Sequence, residues 1–334
     1  MKRHWTIALL LLLFAFLAMA DLCLGNIRIP LSEVWKALFA SGQEESIYTE
    51  IVRNFRLPKL LTAIIAGSAL SLSGLMMQSM FRNPLAGPDV LGVNSGASLG
   101  VALLLMLSSV GGSFLMKSGP WTIILAAVLG AFLVLMLVLF VSRKMPNIVS
   151  LLIVGMMFGY IASSVVSLLQ SMTNPDSLKL FVVWTFGSLS SVSWKMMPAL
   201  LAIFLFGVFL AFMMVKPLDV MLLGDSYAKT LGVSVPRTRF CLIMATALLS
   251  GGVTAFAGPI SFIGITVPHI ARGLVKTWSH RQLIPICMLC GSCLLIICDI
   301  ISQMPVFNAS FPINSITSLV GAPIIIWIML KNRK

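Results

Sequence analysis

Residues 121–142, WTIILAAVLGAFLVLMLVLFVS, form a continuous run without a charged side chain. A helix crosses the hydrocarbon core of a bilayer with about 20 apolar residues, so this run is long enough to span a membrane. Hydrophobic residues make up 59% of the chain and charged residues only 10%. Soluble domains hold roughly 45–50% apolar residues. The run and the composition therefore predict a membrane protein.

Similar apolar runs recur along the whole chain. They predict about ten transmembrane helices in a single domain that occupies residues 1–334. The runs are 5–24, 60–81, 92–110, 121–142, 148–170, 197–215, 240–257, 258–273, 283–302 and 312–330. The alternating strands that a membrane barrel requires are absent from this pattern, so the predicted fold class is an all-α polytopic membrane protein.

The first run shares features with a secretory signal peptide. Lys2 and Arg3 precede it, and Ala18-Met19-Ala20 has the small residues of a cleavage site. The apolar stretch nevertheless continues to Leu24, which makes it long enough to span the membrane. We therefore expect it to be retained as the first helix.

The formal net charge is +13. A basic chain can indicate nucleic-acid binding, but in membrane proteins Lys and Arg collect in cytoplasmic loops. If the N-terminus is cytoplasmic, ten spans place most Lys and Arg residues on the cytoplasmic side. The pattern predicts that both termini are cytoplasmic, that the surroundings are membrane lipid, and that nucleic acid is not a partner.

A polar segment interrupts the apolar pattern at residues 222–239, LLGDSYAKTLGVSVPRTR. It carries four charged residues between two runs that are long enough to span the membrane. The same count of spans places it in the cytoplasm. We expect it to form a polar helical projection that faces a partner.

The third run is rich in small residues. Gly92, Gly96 and Gly100 in GVNSGASLG are four residues apart. Small residues at this spacing let the backbones of two helices approach closely, which is how helices associate in lipid. These glycines therefore predict tight helix packing rather than a ligand site.

The fifth run carries a polar stripe. Its residues recur at steps of three and four and are Tyr160, Ser163, Ser164, Ser167, Gln170 and Ser171. A polar face within a membrane must meet protein or water. The stripe therefore either bonds to neighbouring helices or lines a translocation pathway, and its pattern favours neither alternative.

The sequence shows no nucleophile–base pair, metal cluster or phosphate-binding loop. His269 stands alone near the inner end of its span, where a structural role is the more common one. Cys287, Cys290, Cys293 and Cys298 lie in one apolar run at steps that spread around a helix, so they are expected to be buried small side chains rather than ligands.

Two similar triplets suggest an internal repeat. Ala86-Gly87-Pro88 and Ala257-Gly258-Pro259 each follow a span rich in small residues, and those two spans begin near Arg56 and Arg237. The two spans run in opposite directions through the membrane. The expected arrangement is an inverted repeat, as in many transporters.

Five motifs resemble the FecCD family, the permease subunits of ABC importers for ferric siderophores, haem and cobalamin. They are RLPKLLTAIIAGSALSLSG, RNPLAGPDVLGVNSGASLG, LGDSYAKTLGV, AGPISFIGITVPHIAR and GAPIIIWIMLK, in that order. The resemblance covers residues 50–334. It implies a type II ABC importer permease of ten helices in the bacterial cytoplasmic (inner) membrane. It further implies a homodimer with two cytoplasmic ATPase subunits and one extracytoplasmic substrate-binding protein.

The resemblance also assigns roles to residues. It makes residues 219–236 a coupling segment for the ATPase. The expected contacts are Leu223, Gly224, Ala228, Leu231 and Gly232, with Asp225 and Lys229 at the rim. It assigns Arg56 and Lys59, in RLPK, to docking of the binding protein. Gln303 is neutral where the family carries a basic residue.

No cofactor is expected on this chain, because ATP and Mg would be bound by the partner ATPase. The substrate is not determined by the sequence. One alternative, an ion-coupled secondary transporter, calls for charged residues deep in a span, and the sequence has none there. A second alternative, an intramembrane enzyme using His269, calls for a second reactive group on a facing helix.

Overall fold

A computed structural model describes residues 2–25, 27–39, 46–111, 119–142, 148–304 and 311–331. These residues form helices, turns and loops, and none of them lies in a strand. The helices are α1 (Lys2–Cys23), α2 (Leu31–Phe39), α3 (Ile47–Ile51), α4 (Leu57–Phe81), α5 (Val93–Gly111), α6 (Pro120–Ser142), α7 (Ile148–Ser171), α8 (Pro175–Thr185), α9 (Met197–Met213), α10 (Val215–Met221), α11 (Asp225–Thr230), α12 (Val235–Thr246), α13 (Gly252–Ala257), α14 (Ile263–Val275), α15 (His280–Ser302) and α16 (Ile313–Lys331).

The membrane-spanning pattern follows the predicted runs. Seven helical segments of the described chain are long and apolar enough to cross a membrane. Helices α9 and α10, which meet at a bend of 51°, add an eighth. Two of the remaining runs fall on shorter apolar helices, α5 and α14. All ten predicted runs therefore lie on helices, and the all-α membrane class is confirmed.

Helix α4 is the centre of the bundle, and almost all of its residues are buried. It lies between α14 and α15, where glycines leave room for direct backbone contact. A Cβ atom on Gly74 would lie 1.8 Å from the carbonyl oxygen of Gly264 in α14, and one on Gly67 would lie 2.4 Å from that of Gly291 in α15. Small residues along α4 therefore determine how closely α14 and α15 pack against it.

Two stretches of the chain share the same order of elements. A π-helical turn, Val52–Arg56, joins α3 to α4, and another, Ala247–Gly251, joins α12 to α13. In the first stretch α4 is followed by a Gly-Pro turn and then by the apolar helix α5, and in the second α13 is followed by a Gly-Pro turn and then by the apolar helix α14. These stretches coincide with the two halves of the predicted repeat.

Helix α5 packs closely on α6 and α7 through the glycines at four-residue spacing. A Cβ atom on Gly100 would lie 2.0 Å from the carbonyl oxygen of Ala126, and one on Gly96 would lie 2.7 Å from that of Gly130. Gly92 precedes the helix with φ +72, and a Cβ atom on it would lie 3.2 Å from the carbonyl oxygen of Gly155 in α7. All three glycines lie at contacts between helices.

Helix directions define two ends of the molecule. The α11 end contains α11, the C-termini of α4, α14 and α16, and the N-terminus of α15. The α2 end contains α2, the π-helical turn before α4, and the C-terminus of α15. The candidate functional surfaces lie at these two ends and along α7 between them.

Candidate coupling, pathway and docking surfaces

The segment between α10 and α12 presents an apolar ridge at the α11 end. Leu223, Tyr227 and Leu231 are 66%, 54% and 55% exposed. Tyr227 and Leu231 are four residues apart, which places them on the same side of α11, and Leu223 is exposed two residues before that helix. We call Leu223, Tyr227 and Leu231 the coupling ridge. Tyr227 was not predicted from the sequence as a contact residue, although it lies four residues from each of the two leucines.

Ala228 lies on the other side of α11, which corrects the prediction that it contacts the ATPase. It is 0% exposed and packs with Met221 and Val235. A helix of six residues needs tertiary contacts to be stable, and Ala228 is the small residue on its buried side. It supports the ridge rather than forming part of it.

The two glycines of the segment lie at its turns. Gly224 precedes α11 with φ +115, and Gly232 follows it with φ +80. Glycine adopts these conformations without the steric cost that a side chain would bring. Apart from the adjoining residues, no atom of the described chain lies within 4 Å of the position a Cβ would take on Gly232, so this turn has room for a partner. Lys229 is exposed beside it.

Asp225 is an anchor rather than a free charge at the rim. Its Oδ1 accepts a hydrogen bond from Arg82 at 2.5 Å, and its Oδ2 pairs with Arg239. Arg82 caps the C-terminus of α4 with φ +48, and Arg239 lies in α12. One carboxylate therefore connects α11 to two long helices.

A second set of hydrogen bonds connects α10 to the bundle. Asp219 accepts hydrogen bonds at its Oδ1 from the backbone N–H of His280, at 2.9 Å, and from the imidazole Nδ1, at 2.6 Å. The Nε2 of His280 lies 2.6 Å from the hydroxyl of Ser79 in α4. An imidazole with its proton on Nδ1 satisfies both contacts. The chain Asp219–His280–Ser79, which the sequence did not indicate, joins α10, α15 and α4.

The polar stripe of α7 faces away from the described helices of the same chain. Five of its residues are exposed and Gln170 is half-buried. The hydroxyls of Ser164, Ser167 and Ser171 donate to carbonyl oxygens of α7 itself. Among the described residues, no stripe side chain hydrogen-bonds to another helix. Bonding to neighbouring helices of this chain therefore does not explain the stripe.

The buried side of α7 is a different one. It consists of Leu151, Gly155, Gly159, Ala162 and Val166. At roughly 100° per residue, the stripe borders this side, and the apolar side of Ile161, Val165 and Leu168 lies beyond the stripe. Helix α7 thus has a protein-facing sector, a polar sector and an apolar exposed sector.

Arg56 is committed to contacts inside the chain at the α2 end. The predicted docking role assumes a surface charge, yet Arg56 is only 9% exposed. Its Nη1 donates to the carbonyl oxygens of Leu22 at 2.6 Å and Leu24 at 3.0 Å, and its Nη2 donates to that of Ile27. The side chain therefore fixes the loop after α1.

Lys59 is paired as well. Its Nζ lies 2.9 Å from Asp299 Oδ2, and Gln303 donates to the same oxygen at 2.8 Å. Asp21 is buried beside this group. Gln303, which stands where the family has a basic residue, here binds a carboxylate of its own helix. The docking role of Arg56 and Lys59 stays a prediction, and it now concerns residues that organise this end of the molecule.

The other side chains that could take part in chemistry, His269 and the cysteines of α15, have structural surroundings instead. The Nε2 of His269 lies 2.8 Å from the carbonyl oxygen of Pro84. Cys287, Cys290, Cys293 and Cys298 are buried in α15. Among the residues that the structure describes, no three His, Cys, Asp or Glu side chains are grouped to hold a metal ion.

Comparison with known proteins places this geometry in a family. The model of the FecCD transport family matches residues 10–331. The chain is 33% identical to the Fe(3+) dicitrate transport system permease protein FecD of Escherichia coli (strain K12), over 97% of this chain and 99% of the relative. It is also 33% identical to the vitamin B12 import system permease protein BtuC of Klebsiella pneumoniae, over 99% of this chain and 95% of the relative.

A solved structure has the same fold. It is described as an inward-facing metal-chelate type ABC transporter, and it aligns with a TM-score of 0.84 and 28% identity over 96% of this chain and 97% of its own. The helical architecture, the family model and relatives of nearly equal length agree, and the chain belongs to the FecCD transport family, the permeases of type II ABC importers.

Proposed function

We propose that this permease moves a large metal chelate or corrinoid (a ferric siderophore, haem or a cobalamin-type molecule) into the bacterial cytoplasm. Two relatives that match over nearly their whole length are named as permeases for ferric dicitrate and for vitamin B12, which supports this substrate class. The permease sits in the cytoplasmic membrane with both termini inside, in keeping with the distribution of Lys and Arg.

The working unit is a homodimer in which the α7 stripes line the pathway. The observation behind this is that the stripe is polar and exposed, and that its side chains bond to no other helix among the described residues. Polar groups at membrane depth are tolerated where they meet water or protein. Two copies that face each other through α7 give both. Hydroxyl and amide groups suit a pathway that must pass bulky ligands without holding them.

The energy comes from two ATPase subunits, which bind ATP and Mg in the cytoplasm. The single observation that carries this part is the coupling ridge on a segment fixed by Asp225. Exposed apolar residues that lie together on a polar segment are typical of a protein interface. Leu223, Tyr227 and Leu231 fill a cleft of the ATPase, and Gly224, Gly232 and Lys229 lie at its edge.

Movement of the ATPase reaches the bundle through two connections. Asp225 holds α11 to the C-terminus of α4 and to α12. The chain Asp219–His280–Ser79 holds α10 to α15 and again to α4. Helix α4 receives both connections and lies at the centre of the bundle. A displacement of the ridge therefore shifts α4 against its neighbours rather than bending a loop.

The α2 end receives the substrate-binding protein. Arg56 fixes the loop after α1, and the exposed Arg28 lies in that loop next to Ile27, whose carbonyl oxygen Arg56 binds. Lys59, Asp299 and Gln303 hold the end of α15 beside the same loop. Arg56 and Lys59 thus shape the docking surface, and Arg28 supplies an exposed charge on it.

Substitution of the ridge tests the coupling assignment. Tyr227→Asp and Leu231→Asp place charges on exposed positions, so the permease folds and stays in the membrane. We expect both variants to lose the copurifying ATPase and substrate uptake. Leu180→Asp, on an exposed position of α8, is the matched control and retains both. Uptake at the normal rate by the ridge variants contradicts the assignment.

A further inference from the structure

A basic cavity opens at the α11 end between helix termini. It has a volume of about 980 Å³. Its walls come from the C-termini of α4, α14 and α16 and from the N-terminus of α15. Four cations line it, and the described lining contains no Asp or Glu. The cations are Arg82, Arg272, Lys276 and Lys331.

Three of these cations lack a carboxylate partner among the described residues. Arg272 donates from Nη1 to Gln78 Oε1 at 2.6 Å, while its Nε is buried without a partner. Lys276 follows the last turn of α14 and is exposed. Lys331 lies over the ring of Trp327, 4.9 Å from its centroid. The cavity therefore has positive charge that the described chain does not neutralise.

The remaining wall is apolar and aromatic. Trp278 and Trp327 line the cavity and are 72% and 60% exposed. Ile324 and Ile328 continue the apolar wall along α16, a helix that is mostly unburied. Tryptophan concentrates where a membrane meets water, and Lys and Arg near helix ends extend their charges to that level. The cavity thus combines a charged rim at interface depth with an apolar surface that continues into the membrane.

We propose that this cavity binds an anionic phospholipid, with the phosphate held by Arg272, Lys276 and Lys331 and an acyl chain lying along α16. Basic pockets between transmembrane helices recognise lipid headgroups through the same combination of charges. A free phosphate ion uses the cations but leaves the apolar wall bare, and it is far smaller than the cavity. The proposal concerns only the placement of this chain in a membrane, and it stands independently of the substrate and of the coupling role.

Retention of lipid by the purified importer tests the proposal. The full-length permease with its ATPase is extracted from nanodiscs that contain equal amounts of phosphatidylglycerol and phosphatidylcholine, and bound lipids are counted by native mass spectrometry. Lys276→Gln/Lys331→Gln removes two exposed charges without disturbing the half-buried Arg272. Each cation near the surface contributes about 1 kcal/mol to binding an anionic lipid, so we expect the affinity for phosphatidylglycerol to fall about 25-fold.

Lys179→Gln/Lys195→Gln, which removes two exposed charges from the other side of the membrane, is the matched control and retains the lipid. Equal retention by wild type and cavity variant overturns the proposal, as does an equal loss in both double variants. Competition by inorganic phosphate alone, without preference for phosphatidylglycerol, identifies a phosphate site instead. Loss of the ATPase with lipid retained makes the cavity a protein interface. Either of these last results also overturns the proposal.

Discussion

Asp225 shows how one carboxylate can stiffen a short segment. Helix α11 has only six residues, too few to be stable without tertiary contacts. Asp225 supplies those contacts through Arg82 and Arg239, and all three side chains are partly exposed. Exposed ion pairs contribute about 0–1 kcal/mol each, so the pairs matter more for holding a geometry than for global stability.

Replacement of Asp225 by alanine should therefore separate assembly from coupling. We expect Asp225→Ala to stay folded, with a decrease in stability of about 1–2 kcal/mol. It should keep its ATPase and lose most uptake per ATP hydrolysed, because the ridge moves without shifting α4. The measurement is uptake and ATP hydrolysis in proteoliposomes. Asp176→Ala, an exposed carboxylate in α8, is the control, and an unchanged ratio in both variants contradicts the anchor.

Helix α4 illustrates, at the scale of elements, what holds a bundle together in lipid. Apolar side chains gain little by leaving a hydrocarbon solvent, so close backbone contact has to supply the stability. A Cβ atom on Gly74 would overlap the backbone of Gly264, whereas one on Gly273, which is also helical, would have no described atom within 4 Å outside its own part of the helix. The same substitution at these two glycines should therefore have effects of opposite sign.

Gly74→Ala should destabilise the fold by about 3 kcal/mol or more, because its Cβ meets backbone that has no room to move. Gly273→Ala should stabilise slightly, by about 0.5–1 kcal/mol, because alanine favours a helix interior. Thermal unfolding of the detergent-solubilised protein, followed by fluorescence size-exclusion chromatography, measures both. Similar melting temperatures for the two variants contradict the close contact between α4 and α14.

Helix α7 offers a second test at this scale. Single cysteines at 163, 167 and 170 should react with a water-soluble thiol reagent in membranes, since the stripe faces an aqueous pathway in the dimer. Cysteines at 161, 165 and 168 should stay unreactive, because thiols in lipid do not ionise. Ala162→Cys and Val166→Cys report the buried side. Cys23 and Cys241, the half-exposed native cysteines, are first replaced by serine. Equal labelling of all sectors contradicts a pathway along the stripe.

For the molecule as a whole, the sequence predicted what depends on local composition. The apolar runs, the polar segment and the glycine spacing of α5 follow from hydropathy and residue size, and each lies where it was expected. The sequence did not predict which side of α11 is buried, because that depends on Met221 and Val235 arriving from other helices. It did not predict the burial of Arg56, whose partners lie about thirty residues earlier in the chain. Contacts between distant segments decide both.

The burial of Arg56 changes how docking of the binding protein at the α2 end should be tested. Arg56→Gln removes charged hydrogen bonds to three carbonyl oxygens, so we expect a loss of stability of about 2–4 kcal/mol together with weaker docking. Arg28→Glu reverses an exposed charge and should leave stability unchanged. With two copies per dimer, it should weaken association of the binding protein roughly tenfold at low salt.

The dependence on salt distinguishes the two residues. Association through exposed charges weakens as ionic strength rises, so Arg28→Glu should flatten the salt dependence that the wild type shows. Arg28→Lys keeps the charge and should bind as the wild type does. A matching Glu→Arg change on the binding protein should restore part of the affinity to Arg28→Glu and none to Arg56→Gln, because Arg56 acts through the loop it holds. Wild-type affinity for Arg28→Glu, measured by surface plasmon resonance on the reconstituted complex, places the docking charge elsewhere on this end.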